Sequence, residues 1–243
     1  MPNPFTAADA ARLRTAARDA IAEFHLPGVS IGVVSGQELV FCEGFGLAEI
    51  ETGRPQDPAL RQRIGSITKT MVGLCAMALV EEGRLALTDR LADRIPELVF
   101  HGDGSGVTVR HLLTHTAGIG EVAMPDEVRD TEASLWSDEP DQDVLGLFPS
   151  GLTIDVPPGT KWSYANLGFA LLGEIVARIE GAPIAEVVRR RVFAPLGMTN
   201  SDLLDLPHPD LTACYHRAPG DDERELLARA GRPAVDEPTV DGH

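Results

Sequence analysis

The amino-acid sequence predicts an α+β fold, with an antiparallel sheet, flanking helices and a mainly helical subdomain. An amphipathic helix and a β-rich hairpin come first along the chain, and helical periodicity dominates from residue 66 onward. Strands and helices do not alternate, which disfavours a parallel doubly wound sheet. The 243 residues suit one large domain, or one domain with a lid.

The N-terminal elements follow from capping and turn residues. Thr6 is of a type that caps helices, and Pro27-Gly28 stops the helix that follows it. The apolar positions of this helix recur at helical spacing: Ala10, Leu13, Ala17, Ile21 and Phe24. Two β-rich runs around a glycine turn, residues 29–34 and 38–45, predict a hairpin. A third short strand is expected to reach Ile50, before a turn at residues 51–55.

The rest of the chain is predicted to be mostly helical. A helix is expected over residues 66–82, with Gly83 just past its end, and others over 91–98, 109–116 and 184–193. Asn166 is expected to cap a further helix over residues 167–180 that stops at Gly181. The predicted buried stripe of the first of these helices is Met71, Leu74, Cys75, Ala78 and Leu79. Residues 156–160 form a turn, and the acidic stretch 121–150 is either a lid or a solvated excursion.

Composition divides the chain and excludes several classes of partner. Residues 1–199 are predicted to form one domain, and residues 200–243 an acidic, proline-containing, loop-rich segment. The net charge of −16 disfavours nucleic acid and anionic membrane surfaces as partners. No apolar run is long enough to span a membrane, and the N-terminus lacks the apolar core of a secretory signal, so a cytoplasmic location is expected. Three cysteines, Cys42, Cys75 and Cys214, predict reduced thiols rather than a disulfide framework.

A serine and a lysine carry the first chemical motif. The chain contains only two lysines, Lys69 and Lys161, against nineteen arginines. Because lysine can give up its proton in a protein and arginine cannot, Lys69 indicates a position where a titratable amine is needed. Lys69 lies three residues after Ser66, so both side chains share one helical face and the amine can accept or relay the hydroxyl proton. The alternative interpretation is a serine N-cap followed by a surface lysine.

Tyr164 and Asn166 form the second motif, Y-x-N. A phenol near an ammonium group loses its proton more readily, and it can act first as a base and then as an acid to the leaving group. Asn166 offers one acceptor and two donors to a neighbouring lysine or to a substrate carbonyl. The alternative interpretation is an aromatic residue at a loop–helix junction followed by a helix cap.

Together, S-x-x-K at 66–69, HLLTHTAGI at 111–119 and PPGTKWSYANLG at 157–168 resemble the serine β-lactamase-like superfamily, over about residues 27–199. That group contains class C β-lactamases, D-alanyl-D-alanine carboxypeptidases and β-lactamase-fold esterases. The resemblance implies a β-lactamase/transpeptidase-like fold and a nucleophile at Ser66. It also implies that Lys69 and Tyr164 share the base role and that Asn166 binds substrate. Acyl-enzyme chemistry on a small-molecule ester or amide follows, and no cofactor is expected.

The sequence departs from this superfamily near its C-terminus. No K-T-G or H-x-G motif follows Asn166, and the superfamily's later strands and closing helix find no counterpart, so the C-terminal strands are expected to be missing. Because no export signal is found, the main prediction is an esterase-like serine hydrolase acting on a small intracellular substrate. The alternatives are a β-lactamase or D-Ala-D-Ala carboxypeptidase, and a truncated, inactive protein that acts as a binding scaffold.

Other candidate sites are weaker. His111 and His115 stand four residues apart on a predicted helix, a spacing that metals use, but no third ligand accompanies them. The acidic run at 138–143 lacks the glycine and final glutamate of a calcium loop. No metal site is therefore expected. The G-x-S-x-G signature is absent from the sequence, which argues against an α/β-hydrolase.

Overall fold

The computed structural model describes residues 5–119, 144–147, 151–203 and 208–213. These residues form helices and an antiparallel sheet, which confirms the predicted α+β class. They divide into two compact units, one of residues 5–63 with 208–213 and the other of residues 64–203. The division of the sequence by composition at residue 199 stays a prediction.

Helix α1, Ala7–Phe24, opens the first unit and begins where the sequence predicts. The Thr6 hydroxyl accepts a hydrogen bond from the Asp9 N–H at 3.2 Å, and the Asp9 carboxylate accepts one from the Thr6 N–H at 3.0 Å. This reciprocal pair satisfies donors that have no partner inside the helix. The helix ends at His25, whose φ of 52° turns the chain into the left-handed region.

A three-stranded antiparallel sheet completes the first unit. Strands β1 (Gly28–Ser35) and β2 (Glu38–Glu49) form the predicted hairpin, and α1 packs against both. The expectation that a third strand would reach Ile50 is wrong, because β2 runs unbroken to Glu49. Its first part pairs with β1 and its end pairs with β3 (Arg54–Pro55), which lies beyond the turn. Because β2 pairs first with β1 and then with β3, its whole length stays extended.

The second unit is mainly helical and holds the larger core. Its helices are α2 (Thr68–Glu81), α3 (Leu91–Arg94), α4 (Val109–Leu113), α5 (Asn166–Glu180) and α6 (Ile184–Val188), followed by a π-helical turn at Arg189–Phe193. Short 3-10 turns lie at Gly65–Ile67, Gly104–Gly106 and Val144–Leu147, and β4 (Phe100–His101) pairs in parallel with β5 (Leu152–Thr153). Helix α5 packs against both α2 and α4. The fully buried side chains at these contacts include Leu79, Leu112, Leu171, Leu172 and Ile175.

Several predicted boundaries shift in the structure. The predicted buried stripe of α2 is wrong at Leu74, which is 50% exposed, whereas Val72 and Ala76 are buried. The side of α2 that meets α5 and α6 is rotated from the predicted stripe, since tertiary contacts set the buried face. The glycines at the ends of α2 and α5 do adopt the predicted left-handed conformation, at φ 71° and 64°.

Two stretches discussed in the sequence analysis lie outside the described residues. They are most of the acidic stretch 121–150, and the last segment from residue 214, which contains Cys214. None of the helices in the described ranges has the length and apolar character needed to cross a membrane.

An ionic cluster fixes the C-terminal ends of α2 and α5. The Glu180 carboxylate is 4% exposed and pairs with Arg84, Arg190 and Arg191. Arg191 donates to Glu180 at 2.8 and 3.1 Å and also to Glu82 at 2.6 Å. These hydrogen bonds, those of Arg191 foremost, lower the pKa of Glu180 to about 2. The cluster therefore ties the two helices together at the ends opposite Lys69 and Asn166.

We expect Glu180→Gln to lower the free energy of unfolding at pH 7 by about 2 kcal/mol. Because the pKa of Glu180 is lower in the folded chain than its ordinary value of 4.5, its contribution is present above pH 4.5 and is lost as the pH falls toward 2. Urea unfolding at pH 7, 5 and 3 should show the difference from wild type shrinking by more than half at pH 3. Glu186→Gln, an exposed position on α6, is the control, and parallel wild-type and E180Q curves from pH 7 to 3 would contradict the prediction.

Candidate active site

The turn before α2 presents Ser66 to solvent. Gly65, the residue just before the serine, has a φ of +50°, which a residue with a Cβ rarely adopts. Ser66 then lies in the 3-10 turn Gly65–Ile67 instead of in the predicted α-helix. The first N–H groups of a helix have no acceptor inside it, and Ser66 stands in that first turn. Ser66 is exposed to solvent.

Lys69 lies in the first turn of α2 and contacts two of the predicted site residues. Its Nζ donates to Ser66 Oγ at 3.2 Å and to Asn166 Oδ1 at 2.6 Å. The serine–lysine contact follows from their spacing of three residues. The contact with Asn166 joins positions 97 apart in the sequence and brings the N-terminal ends of α2 and α5 together.

Asn166 is the first residue of α5 and not its cap. The N-cap position belongs to Ala165, so the predicted capping role of Asn166 is wrong. The amide oxygen instead accepts a hydrogen bond from Lys69 Nζ, which leaves the amide NH₂ as a donor for another group.

Tyr164 completes the group. Its Oη donates to Ser66 Oγ at 2.6 Å across 98 positions of sequence. The Lys69 Nζ lies 4.9 Å from the centre of the tyrosine ring, a cation–π distance. The structure thus brings together all four residues that the sequence singles out, within the second unit.

A ladder of backbone hydrogen bonds positions Tyr164 beside Ser66. The segment 115–118 follows α4, and its carbonyl groups accept hydrogen bonds from N–H groups of the segment that precedes α5. These bonds are 2.8–2.9 Å long and pair His115 with Ser163, Thr116 with Gly159 and Gly118 with Asp155. At Gly118, where φ is +79°, a Cβ would lie 2.1 Å from the Val156 carbonyl oxygen, so only glycine allows the two segments to approach this closely.

The predicted end of α4 is also changed at this segment. The helix was expected to run to residue 116 but stops at Leu113, because His115 adopts a left-handed φ of 55°.

The two histidines considered as a metal pair accept hydrogen bonds from backbone N–H groups. His111 Nδ1 accepts from the Thr108 N–H at 3.2 Å, and His115 Nδ1 accepts from the Ala165 N–H at 3.1 Å. Among the described residues, no group of three or more His, Cys, Asp or Glu side chains could hold a metal ion.

Two further aromatic residues border the site and were not singled out from the sequence. The ring of Phe169 lies 6.0 Å from the Lys69 Nζ and 5.1 Å from the His115 ring. Trp162 is 64% exposed, and its ring lies 6.2 Å from that of His115. The spacing of Phe169, three residues after Asn166 on the same helix, is the signal that could have indicated its place.

The group has the parts that acyl transfer by a serine needs. An exposed hydroxyl stands within hydrogen-bonding reach of an amine and a phenol, the two groups that can take its proton. In addition, the amide NH₂ of Asn166 and the backbone N–H of Ser66 are of the kind that can donate to a carbonyl oxygen.

Comparisons with known proteins show the family and the fold of this chain. The family model described as Beta-lactamase matches residues 13–236. Esterase EstB of Burkholderia gladioli is 30% identical over 244 residues, covering 96% of this chain and 60% of the esterase. The octameric penicillin-binding protein homologue from Pyrococcus abyssi superposes with a TM-score of 0.72 at 28% identity, over 86% of this chain and 48% of that one.

The D-amino acid amidase from Ochrobactrum anthropi SV3, in complex with D-phenylalanine, superposes with a TM-score of 0.73 at 26% identity, over 96% of this chain and 60% of the amidase. These neighbours confirm the expected β-lactamase/transpeptidase-like fold. The chain therefore spans about half to three fifths of the length of these three proteins.

Proposed function

This chain belongs to the beta-lactamase family, and from that premise we propose that it is an esterase-like serine hydrolase acting on a small ester or amide through an acyl-enzyme. The observation that carries the proposal is the pair of hydrogen bonds on Ser66 Oγ, one from Lys69 Nζ at 3.2 Å and one from Tyr164 Oη at 2.6 Å. A hydroxyl between an amine and a phenol is built to lose its proton as it attacks a carbonyl carbon.

In the proposed first step, Ser66 Oγ forms a bond to the substrate carbonyl carbon, and its proton passes to the Lys69–Tyr164 pair, one member of which enters the step unprotonated, as a neutral amine or a phenolate. The tetrahedral intermediate then collapses, the leaving group takes that proton, and the acyl group stays on the serine. Water attacks the acyl-enzyme in the second step and gives its proton to the same pair. The acid then leaves, and Ser66 regains its hydroxyl proton.

The pair is assigned the base role jointly. Each group lies within reach of Oγ, and Nζ also lies over the phenol ring, so a proton gained by one changes the charge felt by the other. Asn166 is assigned to substrate binding, since its amide oxygen holds Lys69 and its NH₂ can donate to the substrate carbonyl. The N–H of Ser66 is the proposed oxyanion donor.

Amide hydrolysis is the second candidate, in the form of β-lactamase or D-Ala-D-Ala carboxypeptidase activity. It is favoured by the similarity to two solved structures, those of a penicillin-binding protein homologue and of a D-amino acid amidase. The esterase is preferred because EstB is the relative with 30% identity over 96% of this chain.

Pre-steady-state kinetics with p-nitrophenyl acetate tests the proposal. We expect a burst of p-nitrophenol equal to the concentration of active sites, because acylation releases the phenol before water frees the enzyme. Covalent labelling by a fluorescent penicillin with no reaction toward the ester would favour the amide candidate. A folded protein that shows no burst and no labelling by a fluorophosphonate would instead be the inactive scaffold.

Replacing Tyr164 with phenylalanine is expected to lower kcat for an activated ester by about 10²–10⁴-fold. The change removes the Oη that lies 2.6 Å from Ser66 Oγ and keeps the ring that packs on His115. Steady-state kinetics measures the effect, and the same change at the other tyrosine of the chain, Tyr215→Phe, is the control. A wild-type rate in Y164F would show that the phenol takes no part in proton transfer.

The proposal includes a small-molecule substrate and a cytoplasmic location. The small number of cysteines, three scattered along the sequence, supports a reducing compartment. Burial raises the pKa of the Cys75 thiol, which makes it less reactive.

A further inference from the structure

We propose that His115 is a positioning residue for this reaction, which fixes Tyr164 Oη on Ser66 Oγ by holding the backbone on both sides of the tyrosine. The inference rests on the proposed function. It concerns a residue that the sequence offered only as half of an unsupported metal pair.

Two hydrogen bonds from neighbouring N–H groups end on this one residue. The Ser163 N–H donates to the His115 carbonyl at 2.8 Å, and the Ala165 N–H donates to His115 Nδ1 at 3.1 Å. The residues immediately before and after Tyr164 are therefore both tied to His115. Ala165 is buried, so its N–H has little access to water as an alternative partner.

The imidazole ring also packs on the tyrosine ring itself. The two ring centres lie 4.6 Å apart with an angle of 32° between the planes, and the Phe169 ring contacts the imidazole at 5.1 Å. These contacts limit the directions in which the phenol can swing. Backbone and ring contacts together determine where Oη lies.

The hydrogen bond from Ala165 defines the protonation form of the imidazole. A ring nitrogen that accepts must carry its lone pair, so Nδ1 has no proton and neutral His115 carries it on Nε2. The backbone of His115 is in the left-handed region, at φ 55°, a conformation that asparagine and glycine adopt more readily than other residues. Both features suggest matched substitutions.

His115→Asn keeps an acceptor close to the position of Nδ1 and tolerates the left-handed backbone, whereas His115→Gly tolerates the backbone but has no acceptor. With p-nitrophenyl acetate, we expect H115G to lower kcat by about 10–100-fold with KM changed less than about threefold, because a misplaced proton acceptor slows the chemical step more than binding. H115N should recover most of that loss. His115→Phe, which keeps a ring and loses the acceptor, should be as slow as H115G.

The matched control is His25→Gly. Among the described residues other than glycine, His25 shares a positive φ with His115, at 52°. A wild-type kcat in H115G, or recovery by H115F instead of by H115N, would overturn the proposal. A wild-type protein without a Ser66-dependent burst would instead refute the proposed function, whatever the His115 variants do.

Hydrogen exchange gives a second test that needs no activity. We expect peptides containing the Ala165 amide to exchange at least about tenfold faster in H115G than in wild type, and H115N to restore most of the protection. Thermal unfolding of each variant shows whether it is folded under the assay conditions. Unchanged exchange at Ala165 in folded H115G would mean that His115 does not hold this backbone.

Discussion

Replacing Ser66 with alanine is expected to abolish acylation and to lower the catalysed turnover of an activated ester by about 10⁶-fold. The change removes one oxygen, the Oγ that accepts from Lys69 and Tyr164, and leaves both partners in place. Without that oxygen no covalent intermediate can form, so the p-nitrophenol burst should vanish together with the steady-state rate. Stopped-flow and steady-state assays on the same preparation measure both quantities.

The control for this prediction is Ser105→Ala, an exposed serine whose hydroxyl donates to Asp103 at 2.7 Å. It removes a serine hydroxyl from the second unit at a position outside the site. S105A should retain both the burst and the rate. A burst of wild-type size in S66A would mean that the nucleophile is another residue.

Replacing Lys69 with methionine has the second largest expected effect, a loss of about 10⁴-fold in kcat. Methionine nearly preserves the length of the side chain and removes the amine, so the hydrogen bonds to Ser66 and Asn166 are both lost. The serine then lacks one of the two groups that can take its proton, and Asn166 loses the amine that orients its amide. The loss should appear in kcat and in the rate constant of the burst alike.

Two further variants show why the lysine matters. Lys69→Arg keeps the positive charge but cannot give up a proton, so it should remain slow if Lys69 moves protons and recover much of the rate if only its charge matters. Lys161→Met, at the exposed second lysine of the chain, should behave as wild type. Wild-type kinetics in K69M would exclude the amine from the mechanism.

Local chemistry was enough to predict the parts of the fold that depend on near neighbours in the sequence. Thr6, Gly83 and Gly181 mark helix ends through capping and left-handed turns, which involve only a few residues. The contact between Ser66 and Lys69 follows in the same way from their spacing.

Features that depend on distant partners were not accessible in this way. The buried face of α2 excludes Leu74, because the helices packed on α2 determine which face is buried. Strand β3 forms where the end of β2 pairs with a second strand. The approach of Tyr164 to Ser66 depends on the backbone ladder between segments 115–118 and 155–163. Only the family resemblance predicted that approach, and no local pattern indicated that His115 would turn left-handed to form the ladder.

Mass spectrometry of the trapped intermediate tests the central claim most directly. Wild-type protein and S66A would each be incubated with a fluorophosphonate, and their intact masses would be measured. Digestion and peptide mapping would then locate the modified residue. We expect one phosphonyl group per wild-type chain, placed on Ser66, and none on S66A. A label on any other residue, or no label on folded wild-type protein, would contradict the account.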